Sequence, residues 1–140
     1  MPRPTSFRLP EELLGRLEEE GRAAGVSVTS LVTSLLDEGL KTRRFAGVVF
    51  RDGPAGRRAG LVGGPDIWEI ARDLRHAPGR GAARVELVAT ETGLPAARIR
   101  LAADFYAAHP DEIDRLIDAD EQAAQRARRV IDKRERLLSS

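Results

Sequence analysis

Residues 4–17 read PTSFRLPEELLGRL, and this short stretch restricts the possible folds more than any other. Thr5, Phe7 and Leu9 alternate with Ser6 and Arg8, the period of two that marks a half-buried strand. Pro10 then opens a helix, with Glu11 and Glu12 in the first turn, where the helix dipole favours acid. A lone strand leaves a row of backbone donors and acceptors unpaired and is not stable by itself. The next segment with strand character begins near Ala46, beyond two helical segments, and is matched to a hairpin of its own. Symmetry resolves the difficulty: the strand is expected to pair antiparallel with its copy in a second subunit. Phe7 and Leu9 would then lie against the helices of both copies. Ser6 and Arg8 of each chain would share the outer face.

The helix after Pro10 carries Leu13, Leu14 and Leu17 on one stripe, and Gly25 is placed to end it. Ser27 is positioned to cap a second helix, whose buried face would be Val28, Leu31, Val32, Leu35, Leu36 and Leu40. Strand S-F-R-L, leucine-bearing helix, G-V-S turn and second apolar helix together resemble the ribbon-helix-helix (CopG/Arc/MetJ-like) DNA-binding family over roughly residues 3–43. That resemblance implies a paired ribbon in the major groove, read by alternate strand residues. The base-contacting positions would be Ser6 and Arg8, with Pro4 just outside. Arg8 can fork onto guanine O6 and N7, while Ser6 serves as donor or acceptor. Pro4 departs from the polar residue usual in the family. Ser27, Val28, Thr29 and Ser30, at the start of the second helix, would face a phosphate, and Arg3 would reach the backbone from the arm. Without the resemblance, Ser6 and Arg8 are equally the solvated face of an ordinary strand.

The stretch FAGVVFRDGPAGRRAGLV reads as two short strands around a Gly/Pro turn. A helix follows from Pro65 and Asp66, with Ile67, Trp68, Ile70, Ala71 and Leu74 as its apolar surface. VELVATETGLPAARIRL and the residues after it form two helices joined at a tight glycine turn. Ala89, Gly93 and Ile99 stand there at helix-turn-helix spacing, a pattern shared by many packing hairpins that never meet DNA. If this segment does read DNA, Arg98 and Arg100 are the candidates. From Arg51 to Ile117, the glycine-rich hairpin, P-D-x-W-E, E-T-G-L, and Tyr106, Pro110, Glu112, Ile113 and Asp114 are similar to a small domain of VapB-like antitoxins. Such antitoxins are encoded beside PIN-like ribonuclease toxins, so the likeness implies a toxin partner and an autoregulated operon.

One long helix is expected from about Asp111 to Leu138. Ile113, Leu116, Ile117, Ala123, Ala124, Ala127, Val130, Ile131, Leu137 and Leu138 recur along it at three- and four-residue intervals. A stripe of that length needs cover from a partner groove, a second copy or the chain's own domain. Acid gathers at its start and base near its end, an order that also suits the helix dipole. Arg126, Arg128 and Arg129 are the candidates for contact with the acidic centre of a nuclease toxin.

Composition narrows the alternatives. The chain has 23 basic and 22 acidic residues, a formal net charge of +1, which argues against the broad basic coat of non-specific nucleic-acid binders. All the basic residues but Lys41 and Lys133 are arginine, a bias that suits phosphates and guanine edges but that genome base composition explains equally well. There is no cysteine, which removes disulfides, thiolate zinc sites and thiol catalysis. His76 and His109 lack a partner at ligand spacing, and GLVGGP lacks the Lys-Ser/Thr of a phosphate loop. The acids of residues 111–121 follow one another along a helix instead of converging on a cavity. No catalytic residue, metal or cofactor is expected. Neither a signal peptide nor a membrane-spanning run is present, so a cytoplasmic protein is expected.

The expected architecture is mainly α with short β. Residues 1–44 form a ribbon-helix-helix dimerisation and DNA-binding domain, and residues 45–110 a hairpin-plus-helices, helix-turn-helix-like domain. Residues 111–140 are a long partner-binding helix. The function implied is that of a homodimeric repressor acting as a type II antitoxin, possible also as a higher oligomer, on a double-stranded operator. A stand-alone CopG-like regulator whose second domain oligomerises or touches DNA is the alternative. A third possibility is an interaction protein whose ribbon only dimerises.

Overall fold

The computed structural model describes residues 1–140. The protein is mainly helical with one small antiparallel sheet, and it divides into two compact units, Met1–Arg44 and Phe45–Ser140.

In the first unit, residues 1–10 form no regular secondary structure within the single chain. Helix α1 spans Glu11–Ala24 and helix α2 spans Val28–Arg44. Between them the chain turns through Gly25, whose φ of 69° is left-handed and suits a residue without Cβ. The Gly25 and Val26 N–H groups donate to the Arg22 and Gly21 carbonyls. This is the Schellman arrangement, which satisfies carbonyls the helix end would otherwise leave unpaired. Gly21 is buried under this turn, and a Cβ there would lie 3.0 Å from the Val26 carbonyl oxygen. Ser27 caps α2, its Oγ accepting the Ser30 N–H at 3.1 Å.

Both helices are amphipathic, yet no apolar side chain of residues 1–44 is buried. Leu40 and Leu36 are 70% and 56% exposed, and Phe7 is 75% exposed. Leu13, Leu17, Leu31 and Leu35 line an open groove between α1 and α2.

The second unit holds the core. Strands β1 (Val48–Gly53) and β2 (Gly56–Leu61) pair antiparallel around a Pro54–Ala55 turn, in the register Val48 to Leu61 and Gly53 to Gly56. Helices α3 (Ile67–His76), α4 (Gly81–Thr92), α5 (Ala96–Ala108) and α6 (Pro110–Ser139) follow. Helix α3 is central and packs against β2, α4, α5 and α6. Leu61, Ile67, Ile70, Val88, Ile99, Phe105, Ile113 and Ile117 are fully buried around it. Phe45 meets the Phe105 ring edge-on at 5.2 Å between centroids. Gly93, with a φ of 71°, turns the chain between α4 and α5. Helix α6 joins this core only through its first turns; every residue from Glu121 to Ser140 is exposed. No helix is long and apolar enough to cross a membrane.

Candidate nucleic-acid interface

Most of the residues expected to meet DNA lie in the first unit, on the N-terminal segment and at the start of α2. Arg3, Pro4, Ser6 and Arg8 are all exposed. The Thr5 hydroxyl makes a local contact to the Arg3 carbonyl at 3.4 Å. At the start of α2, Ser27 Oγ is already engaged with the Ser30 N–H and with the Ser30 hydroxyl at 3.0 Å. The Ser30 N–H is therefore committed to the cap. The Val28 and Thr29 N–H groups are the ones that remain pointed out of the first turn, as helix geometry requires. That turn contains no acid, while the last turn carries Lys41, Arg43 and Arg44. An anion at the N-terminus of α2 would thus meet the positive end of the dipole without a competing carboxylate.

Arg98 and Arg100 sit on α5 and differ in their surroundings. Arg98 is half-buried, and its guanidinium donates to the Val62 carbonyl at the end of the hairpin. Arg100 is exposed. Of the two, only Arg100 offers its side chain outward without giving up an internal hydrogen bond.

Arg126, Arg128 and Arg129 lie on the exposed part of α6. Arg126 borders a groove of about 520 Å³ whose walls include Trp68, Leu116 and the Pro54–Ala55 turn.

Two polar clusters of the second unit carry its electrostatics. Asp66, only 7% exposed, accepts from Arg51 Nη2 at 2.9 Å, from Arg58 Nε, and from Trp68 Nε1 at 3.2 Å. Glu69 returns a bond to the Asp66 N–H at 2.9 Å, fixing the start of α3. Arg51 and Arg58 are direct cross-strand partners. Like charges so placed repel, and the Asp66 carboxylate between them removes the conflict. Each guanidinium lies across a glycine, Arg51 over Gly60 and Arg58 over Gly53, where a Cβ would collide with it. The sequence marks Asp66 as a helix start and as part of the P-D-x-W-E motif, without showing its arginine partners. The available signal was the pair of arginines, which hairpin register brings face to face and which therefore requires an acid.

The second cluster ties α3 and α5 to α6. Tyr106 Oη donates to Asp114 Oδ1 at 2.9 Å, and Arg75 Nη2 donates to the same oxygen at 2.7 Å. The Tyr106 hydroxyl and then Arg75 hold the Asp114 carboxyl below the usual range, and Asp114 raises Arg75. Because the folded carboxyl is the stronger acid, its contribution to stability is present at neutral pH. That contribution disappears as pH falls through the lowered value, below about pH 4. Tyr106→Phe removes the principal donor and is expected to move the Asp114 titration upward toward an ordinary aspartate. A side-chain carboxyl NMR titration of the two proteins checks this; superimposable curves would exclude the hydroxyl as the cause.

No family model, curated protein or solved structure matches the chain.

Proposed function

We propose that this protein is a sequence-specific DNA-binding repressor whose first unit works as a symmetric ribbon-helix-helix dimer. We further propose that it serves as the antitoxin of a VapBC-like pair, neutralising a PIN-like ribonuclease and repressing its own operon. The observation that carries the first part is the absence of any buried apolar side chain in residues 1–44. Two amphipathic helices and an N-terminal segment with exposed Phe7 and Leu9 are half of a core, and a second copy supplies the other half. Pairing of the two N-terminal strands also satisfies backbone groups that residues 4–9 leave open.

In that dimer Arg8 and Ser6 read base edges, with Pro4 at the margin. Arg3 and the α2 N-terminus hold the phosphates. Arg100 is a second DNA contact available on α5, with Arg98 engaged at the hairpin. The antitoxin role rests on the likeness of residues 51–117 to that family and on an exposed, arginine-bearing α6. Arg126, Arg128 and Arg129 are its proposed toxin contacts.

Arg8→Ala is expected to weaken operator binding by about 1–3 kcal/mol per contact while the dimer persists. Gel-shift titrations against the upstream region of the gene, repeated across salt concentrations, measure it. Wild-type affinity must fall steeply with salt, since phosphate contacts release counterions. Unaltered operator affinity in Arg8→Ala would remove this residue from the interface. Alanine at Arg126, Arg128 and Arg129 together is expected to relieve inhibition of the co-expressed nuclease, and full inhibition by that variant would remove these three from the toxin interface. Purification with no nuclease partner, beside intact operator binding, would instead favour the stand-alone regulator.

A further inference from the structure

Helix α6 changes character along its length. Ile113 and Ile117 are fully buried, whereas Val130, Ile131, Leu137 and Leu138 are 66%, 51%, 77% and 71% exposed. Leu116–Ile117, Ala123–Ala124, Val130–Ile131 and Leu137–Leu138 recur at strict seven-residue intervals, with Ala127 midway. Seven-residue spacing keeps a stripe turned toward a second helix in a left-handed supercoil. The cover this stripe requires is therefore itself helical. Asp120 and Arg134 fall on the same stripe, seven residues either side of Ala127. A partner must answer an acid at one level and a base at the other.

The same helix, reversed, answers both. Laid antiparallel about Ala127, Asp120 of one copy faces Arg134 of the second. Leu116 meets the second copy's Leu138, Ala127 meets Ala127, and between them Ala123 and Ala124 meet Ile131 and Val130, small residues facing large ones. A parallel pair would stack Asp120 on Asp120 and Arg134 on Arg134. The antiparallel direction also lays the acid-rich start of one helix along the arginine-rich end of the other. Beside Leu116 lies the groove of about 520 Å³ walled by Trp68, Pro54 and Ala55, at the level where the second copy's Leu137 and Leu138 arrive. Asp120 rims that groove, held only by a long contact of 3.5 Å from Arg72.

We propose that α6 pairs antiparallel with α6 of a second copy about Ala127, the Leu137–Leu138 end of each entering the groove beside the other's Trp68. This surface goes beyond the repressor reading, and a nuclease bound along the same stripe would have to displace it.

The chain has no cysteine, so single cysteines in the full-length protein report the pairing directly. Ala127→Cys is expected to form a disulfide-linked dimer under mild oxidation, and Gln125→Cys, on the opposite face, several-fold less. Ala123→Cys and Ile131→Cys chains, refolded together, are expected to form a mixed disulfide that neither forms with itself. Asp120→Arg or Arg134→Asp should lower the Ala127→Cys yield several-fold, and the double exchange in one chain should restore it. All these positions but Asp120 are exposed in the single chain, so the substitutions leave the core untouched. No mixed disulfide, efficient self-linking of Ala123→Cys, or indifference to the charge exchanges would overturn the proposal. The disulfide reports α6 alone and operator binding reports residues 1–44, so either reading can fail without the other.

Discussion

Asp66→Ala is expected to destabilise the second unit by about 3 kcal/mol. Removing one member of a buried charge pair costs about 3–5 kcal/mol, because the remaining charge stays where water cannot fully reach it. Here two guanidinium groups depend on one carboxylate, and their side chains are 32% and 27% exposed. Partial solvation draws the cost toward the lower end of that range. Two further losses act in the same direction: Trp68 Nε1 loses its acceptor, and Arg51 and Arg58 are left opposed across the hairpin. Urea unfolding followed by the fluorescence of Trp68, the chain's single tryptophan, measures the change. A loss below about 1 kcal/mol, the scale of an exposed ion pair, would show that solvent already carries these charges and that the carboxylate does not hold the hairpin onto α3.

Much of the secondary structure was legible because its signals are local. Gly25, Ser27, the G-P-A-G turn, Pro65-Asp66 and Gly93 each act within a few residues of themselves: α1 ends, α2 and α3 begin, the hairpin turns and α4 gives way to α5 where those residues stand, whereas the strand expected over residues 4–9 is not formed in the single chain. What lay beyond reading was set by distant partners. Arg98 reads as an outward cation on α5, yet it donates to the carbonyl of Val62, brought to it only when the hairpin folds against the helices. The stripe on α6 reads as continuous from Ile113 to Leu138, but the core reaches only its first turns. Periodicity identifies an apolar face without saying what covers it. The same limit governs the N-terminal site: alternation puts Ser6 and Arg8 on one face and Phe7 and Leu9 on the other. No contact within the single chain decides which face packs and which stays open.

Phe7→Ala tests that choice, and its outcome depends sharply on assembly. In the single chain the ring is 75% exposed, and truncating so open a side chain should change stability little. If two strands pair and lay Phe7 against the α1 and α2 helices of both copies, the ring becomes core. Its loss then costs about 3–5 kcal/mol, equivalent to weakening the dimer by roughly two to three and a half powers of ten. Two probes separate this from any effect elsewhere. Far-UV circular dichroism follows the helices of both units, and Trp68 follows the second unit alone. The variant is expected to lose helix at protein concentrations where the wild type does not, with unchanged Trp68 unfolding. Arg8→Ala, one residue away on the other face, is expected to leave that helical signal intact while losing operator affinity. The contrast between adjacent residues is what an antiparallel ribbon demands, because a period of two sends neighbours to opposite faces. A stable Phe7→Ala dimer beside a dissociated Arg8→Ala dimer would mean that the faces are reversed. Indifference at both positions would mean that residues 4–9 do not form the paired ribbon and that the uncovered leucines of α1 and α2 find their cover elsewhere.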